Sequence, residues 1–144
     1  MSIKVEHYEN GRIKSLAILD GDGNLHNPDG PAYQHWYANG QENCREYWLH
    51  GKRRNPDGPT IQRWYENGQE SCRSYWAHGK QHNPDGPAYQ YWYANGQESC
   101  RAYYLHGREL TEKEFNEQKD TVLVTCNGKE VRISRKSAEA MNLI

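Results

Sequence analysis

Bulky aliphatic side chains are scarce in this chain. Of its 144 residues only 19 are Leu, Ile, Val or Phe, and Phe occurs once. So low a share ordinarily goes with disorder, but disorder also wants high net charge and few aromatics. Here 18 Lys and Arg nearly cancel 19 Asp and Glu, leaving a formal charge of −1, and there are five Trp and eleven Tyr. The apolar surface is therefore made of rings, which suits a thin sheet covered by flat side chains and not a deep aliphatic core. The near-neutral charge also argues against nucleic acid or an anionic membrane as a partner found through bulk attraction.

No apolar run reaches the ~18 residues of a membrane-spanning helix. Met1-Ser2-Ile3-Lys4-Val5-Glu6 lacks the apolar stretch of a secretory signal, so the expected location is the cytoplasm. Cysteine occurs four times (Cys44, Cys72, Cys100 and Cys126), and a reducing compartment argues against disulfides.

What the chain has in abundance is self-similarity. Asn27-Pro28-Asp29-Gly30-Pro31 returns from Asn55 and from Asn83, a step of 28 residues. Asn39-Gly40-Gln41-Glu42, Cys44-Arg45 and His50-Gly51 return with the same step. A degraded copy precedes them, in which His7-Tyr8-Glu9-Asn10-Gly11 aligns with Trp36-Tyr37-Ala38-Asn39-Gly40. The array thus covers residues 1–110, with a degenerate copy over 1–26 and 28-residue copies starting at 27, 55 and 83.

The punctuation inside a copy predicts β-hairpins. Asn-Gly between strand-forming residues is a hairpin signal in which both turn positions need positive φ. His-Gly makes a second reversal with Gly at the strained position, and Asn-Pro-Asp-Gly fits a type I turn. Residues 31–37 and 42–49 between these turns are rich in aromatics favoured in strands. Period-two alternation puts Ala32, Gln34, Trp36, Cys44, Glu46 and Trp48 on one parity, and Tyr33, His35, Tyr37, Asn43, Arg45, Tyr47 and Leu49 on the other. The expected fold is mainly β: an elongated single-layer antiparallel sheet of tandem hairpins, with a small α+β piece at the C-terminus.

The Asp-Gly-Pro-Ala, Trp-Tyr-x-Asn-Gly and Tyr-Trp-x-His-Gly-Lys blocks resemble MORN-type repeats, closest to the Asp-Gly-Pro variant of phage and giant-virus proteins. Residues 107–115 resemble the usual ending of such arrays, and the likeness covers residues 4–118. It implies a scaffold for protein or lipid contacts, or an antitoxin-like protein. The repeated Cys-Arg pair and the C-terminal piece depart from the family pattern.

That piece, residues 111–144, opens with a capping box, Thr111 as N-cap and Glu114 at N3, for a helix to about Lys119. Residues 121–126 and 129–134 flank Asn127-Gly128 as a hairpin, and residues 137–144 suggest a brief closing helix. The piece reads as an edge cap, or as a docking or homodimerisation element.

Catalytic and metal chemistry find little support. The cysteines of successive copies lie two strands apart, ~9–10 Å at the usual strand spacing, beyond disulfide reach and lacking zinc-type Cys-x-x-Cys spacing. Asp20-Gly21-Asp22-Gly23-Asn24 begins like a calcium loop, but Leu25 and Pro31 stand where Gly and Glu are needed. Three equivalent Cys sites are a poor setting for one activated nucleophile. No enzyme activity and no cofactor are expected. The Arg45, Arg73 and Arg101 ladder, with Arg63 and Lys52-Arg53-Arg54, is offset by Glu42, Glu70 and Glu98, which suggests cross-strand pairing.

Trp36, Trp64 and Trp92 repeat unchanged, whereas His35 becomes Arg63 and then Tyr91. Fixed columns are what stacking requires, and drifting columns are free for a partner. The expected partner surface comprises Tyr33, His35, Arg63, Tyr89 and Tyr91, with Arg45, Arg73 and Arg101; Tyr, Trp and Arg are the types that dominate interface energetics. The phage resemblance implies a bacterial protein target, with occlusion of a defence or toxin protein as the use and an anti-CRISPR as one example. A membrane-lipid or envelope tether is the other use it implies.

Overall fold

The computed structural model describes all residues, 1–144. Two strands, β1 (Ser2–His7) and β2 (Ile13–Leu19), form the degenerate copy. The next copy holds β3 (Tyr33–Trp36), β4 (Glu42–Glu46), β5 (Trp48–Leu49) and β6 (Lys52–Arg53). The pattern repeats in β7 (Ile61–Trp64), β8 (Glu70–Ser74), β9 (Trp76–Ala77) and β10 (Lys80–Gln81), and then in β11 (Tyr89–Trp92), β12 (Glu98–Leu105) and β13 (Arg108–Leu110). Nine of these strands make one sheet in the order β1-β2-β3-β4-β7-β8-β11-β12-β13. Its ladders are antiparallel.

Each of the two middle copies therefore carries two hairpins, where the residue pattern suggests one continuous pair. The break falls at Tyr47 and Tyr75. The Tyr47 amide donates to Thr60 of the next copy, while its carbonyl accepts from Arg54 of its own short hairpin. One residue thus closes the main ladder and opens the β5–β6 ladder.

The turn chemistry also differs from expectation. His50, His78 and His106 have φ of 47°, 51° and 52°, each followed by a Gly at positive φ. The two-residue turn with both centres left-handed is thus His-Gly, and His is among the side chains that tolerate that region. The repeated Asn-Gly is not such a turn. Gly40 alone is left-handed, at φ 89°, its amide donating to the Tyr37 carbonyl at 2.9 Å. This is a type I turn ending in a glycine bulge. Asn39 closes it by accepting from the Gln41 amide at 2.9 Å. In the Asn-Pro-Asp-Gly loops the Asn side chain brackets both ends: Asn27 accepts from the Asp29 amide and donates to the Pro31 carbonyl.

A second irregularity sorts the faces. Trp36 opposes Glu42, but His35 opposes Cys44, so Asn43 is an extra residue in β4. The bulge moves Cys44 and Glu46 to the face of Tyr33 and His35, and puts Glu42 beside Arg45 on the face of Gln34 and Trp36. Simple alternation, which groups Cys44 with Trp36, is corrected by this one residue. Buried small residues run along the ladder: Ala32, Thr60 and Ala88 are each 0% exposed.

The chain divides into two compact units, Met1–Glu109 and Leu110–Ile144. The second holds α1 (Glu112–Lys119), β14 (Thr121–Cys126), β15 (Lys129–Ser134) and α2 (Arg135–Ala140). Thr111 caps α1 by accepting from the Glu114 amide. The β14–β15 turn, Asn127-Gly128, does have both residues at positive φ. The last helix starts earlier than residue 137, because Ser134 caps it by accepting from the Ser137 amide, and ends at Ala140. Phe115, Val124 and Ala138 are its buried apolar residues beyond Leu110.

Candidate functional site

Directly opposed residues form one row across the sheet: Glu6, Ser15, His35, Cys44, Arg63, Cys72, Tyr91 and Cys100. A parallel row two residues along reads Lys4, Ala17, Tyr33, Glu46, Ile61, Ser74, Tyr89 and Ala102. Residues two apart in a strand share a face, so the two rows form one surface. Tyr33, His35, Arg63, Tyr89 and Tyr91 all lie on it.

Arg45, Arg73 and Arg101 do not. They alternate with Gln62 and Gln90 in the row between, which faces the other way. Nor do they pair with Glu across strands. Arg45 Nη2 meets Glu42 Oε2 at 2.6 Å and Arg73 Nη2 meets Glu70 Oε2 at 2.8 Å, both within one strand. Each guanidinium also lies over the next copy's indole, Arg45 at 5.0 Å from the Trp64 ring and Arg73 at 5.3 Å from Trp92. The bulge at Asn43 makes this i,i+3 pairing possible. The second face is thus a set of identical clasps holding copy to copy.

On the first face the His35, Arg63, Tyr91 column changes from copy to copy while the Cys44, Cys72, Cys100 column does not. Arg63 stands exposed between Cys44 and Cys72. Burial pushes the Cys44 thiol up to about 11, with Glu46 adding to the shift and Arg63 opposing it. Burial likewise raises Cys72. Both thiols stay protonated near neutrality, the opposite of an activated nucleophile. All four cysteines are free, and no group of three or more His, Cys, Asp or Glu is placed to hold a metal. His35 Nδ1 is buried without a hydrogen-bond partner.

Two features were not singled out from the residues. Arg53 of the basic cluster is sandwiched between Trp48 and Trp76, 4.9 and 5.2 Å from their rings. It lines a groove of about 990 Å³ together with the Asn55–Gly58 and Asn83–Pro87 loops. The column it occupies holds Gln81 in the next copy, so periodicity carried no signal for it. Histidines also stack in pairs, His26 on His50 and His82 on His106, with ring centroids 4.0 and 4.4 Å apart. Their recurrent 24-residue separation was the available clue.

Comparison with known proteins brings no match to a family model, a curated protein or a solved structure.

Proposed function

We propose that this protein is a non-catalytic binding module whose Tyr33, His35, Arg63, Tyr89 and Tyr91 face covers a surface of a bacterial protein target. One observation carries the reading. The opposite face repeats the same Glu–Arg pair in each full copy and closes it over the next indole wherever a copy follows, whereas on this face the His35, Arg63, Tyr91 column changes from copy to copy between unchanging cysteines. The fold needs the first kind of column and leaves the second to a partner. Aromatic and Arg side chains on a pre-ordered sheet lose little conformational freedom on contact.

The likeness to phage-type MORN repeats supports a defence or toxin protein as the target, inhibited by occlusion, with an anti-CRISPR action as one form. That step rests on resemblance, since a fold hosts many functions. The test is affinity capture from bacterial lysate with two baits, the native chain and an Arg63→Ala/Tyr91→Ala double variant of equal melting temperature. The expected result is a protein recovered by the native bait and lost by the variant, and bound directly once purified. Recovery of the same proteins by both baits overturns the choice of face. Flotation of the native chain with anionic vesicles replaces the reading with a membrane tether.

A further inference from the structure

The copies are joined by a set of contacts that always run from one copy to the next. The Tyr8, Tyr37 and Tyr65 hydroxyls donate to the carbonyls of Trp36, Trp64 and Trp92 at 2.6, 2.9 and 2.9 Å. The Asn10, Asn39 and Asn67 amides donate to the carbonyls of Ala38, Glu66 and Ala94 at 3.1, 3.2 and 2.9 Å. Gln41 and Gln69 lie on Gly68 and Gly96, where an added Cβ would come within 3.2 Å of their Oε1 atoms. Arg45 and Arg73 lie over the indoles already described. The copies from 27 and 55 thus each present four donors or covers to the successor, Tyr, Asn, Gln and Arg, while the degenerate copy presents Tyr8, Asn10 and, over Gly40, Arg12.

In the last copy these four are Tyr93, Asn95, Gln97 and Arg101, and all are exposed. Tyr93 is 54% exposed, and Asn95 turns back onto Gln97 of its own loop. The strand beside them repeats the contrast. Glu70-Ser71-Cys72-Arg73 and Glu98-Ser99-Cys100-Arg101 are the same four residues. The first set, paired with β11, is buried or half-buried; the second is exposed throughout. One sequence in two environments shows what is missing from the second, namely a strand beside Glu98–Arg101; β13 follows β12 in the sheet but joins its far end through the His106-Gly107 turn.

The degenerate copy offers the matching seats. β1 occupies the place that β3, β7 and β11 hold in their copies, and its outer side is unpaired in the sheet order. His7 and Glu9, which correspond to Trp36 and Ala38, are exposed. Gly11 has φ 85° like Gly68, but nothing lies within 4 Å of the position its Cβ would take.

We propose that the β12 edge of this chain binds the β1 edge of a second copy, so that the nine-stranded sheet continues from molecule to molecule. By the internal register, Cys100 then opposes Glu6 of the second copy, Arg101 opposes its Val5 and Ala102 opposes its Lys4. Tyr93 donates to the carbonyl of the second copy's His7, and Asn95 to that of its Glu9. Gln97 covers its Gly11, and Arg101 lies over its His7 ring. The contact joins unlike surfaces, so it does not stop at two molecules and gives an open series. It uses the backbone side of β12 ahead of β13 and the outer side of β1, and is independent of the face assigned above.

Sedimentation across a concentration series tests this with two variants. Tyr93→Phe/Asn95→Ala/Arg101→Ala removes the donors of the tail. Gly11→Asn keeps the left-handed backbone, which Asn tolerates, while filling the empty seat of the head. The native chain is expected to gain mass steadily with concentration, without a plateau at the dimer. Each variant alone is expected to associate at least about tenfold more weakly, since several hydrogen bonds are lost together. An equimolar mixture of the two is expected to form a dimer and no larger species, because each variant retains the end the other lacks. A native chain that stays monomeric overturns the proposal. So does undiminished self-association of both variants, which would place the contact elsewhere, the Leu110–Ile144 unit included. Circular dichroism melting of the variants checks that both remain folded.

Discussion

The Tyr37 hydroxyl donates to the Trp64 carbonyl, 2.9 Å away and 27 residues along the chain. This bond recurs at Tyr65, and it accounts for the tyrosine that follows tryptophan in the full copies that have a successor. Tyr37→Phe removes the donor and leaves the ring. A half-buried bond of this kind is worth about 1 kcal/mol, so urea unfolding is expected to show that loss. Tyr93→Phe, whose hydroxyl has no such acceptor within the chain, is expected to leave the stability of dilute protein unchanged. Equal losses in both variants would assign the effect to something other than the copy-to-copy bond.

Arg73→Lys tests the clasp on the other face. Lysine keeps the charge but cannot make two parallel bonds to Glu70 while lying flat over Trp92. The expected cost is about 1 kcal/mol. Arg101→Lys keeps the same glutamate relationship but has no following indole to lose, so its expected cost in dilute protein is smaller. Thermal unfolding of the two variants side by side checks the difference.

Mild acid is expected to weaken the array through His82. Burial lowers its pKa below 6.5, and the neighbouring His106 and His78 lower it further. Its Nδ1 accepts from the His106 amide at 2.9 Å, which only the unprotonated nitrogen can do. A base with a lowered folded pKa contributes stability that is complete above the unfolded value, and that is lost as pH falls through 6.5 toward the folded value. The measurement is melting temperature against pH. His82→Gln is expected to flatten that part of the profile.

Thiol labelling at mildly alkaline pH is expected to proceed in a set order. Cys100 and Cys126 are exposed, Cys72 is half-buried with a raised pKa, and Cys44 is buried with a pKa of about 11. Mass spectrometry is expected to find Cys100 and Cys126 modified first and Cys44 last. Early labelling of Cys44 would contradict the protected setting described for it.

The architecture could be read from the residues because repetition and turn composition agree. Asn27-Pro28-Asp29-Gly30-Pro31 and its two successors place the loops, and aromatic runs between reversals leave little choice but antiparallel strands. What escaped was decided by single residues whose effect is tertiary. Asn43 looks like any strand residue, yet as the extra member of a bulge it turns Cys44 and Arg45 to opposite faces from those that alternation assigns. The turn types escaped for a related reason. Asn-Gly suits both a two-residue turn and a type I turn with a glycine bulge, and strand register alone selects between them. At Asn127-Gly128, where the pairing closes directly on the turn, the simple expectation holds. The drifting columns were legible, but their division from the arginine ladder was not, because that needed the bulge.

The copy-to-copy contacts reach one copy and no further, and this shapes how such a chain can change. Excising residues 55–82 would join Arg54 to Asn83 and bring Tyr37, Asn39, Gln41 and Arg45 against the seats of Trp92, Ala94 and Gly96, which are the same residue types or backbone groups they already use. The shortened chain would lose Arg63 and the buried Ile61 from the face of Tyr33 and Tyr91, and Trp76 from the Arg53 sandwich, while the Arg45 clasp closed on Trp92. Recombination between its own copies can therefore shuffle, lengthen or shorten the face of Tyr33, Arg63 and Tyr91 in whole steps, leaving the framework that displays it unaltered.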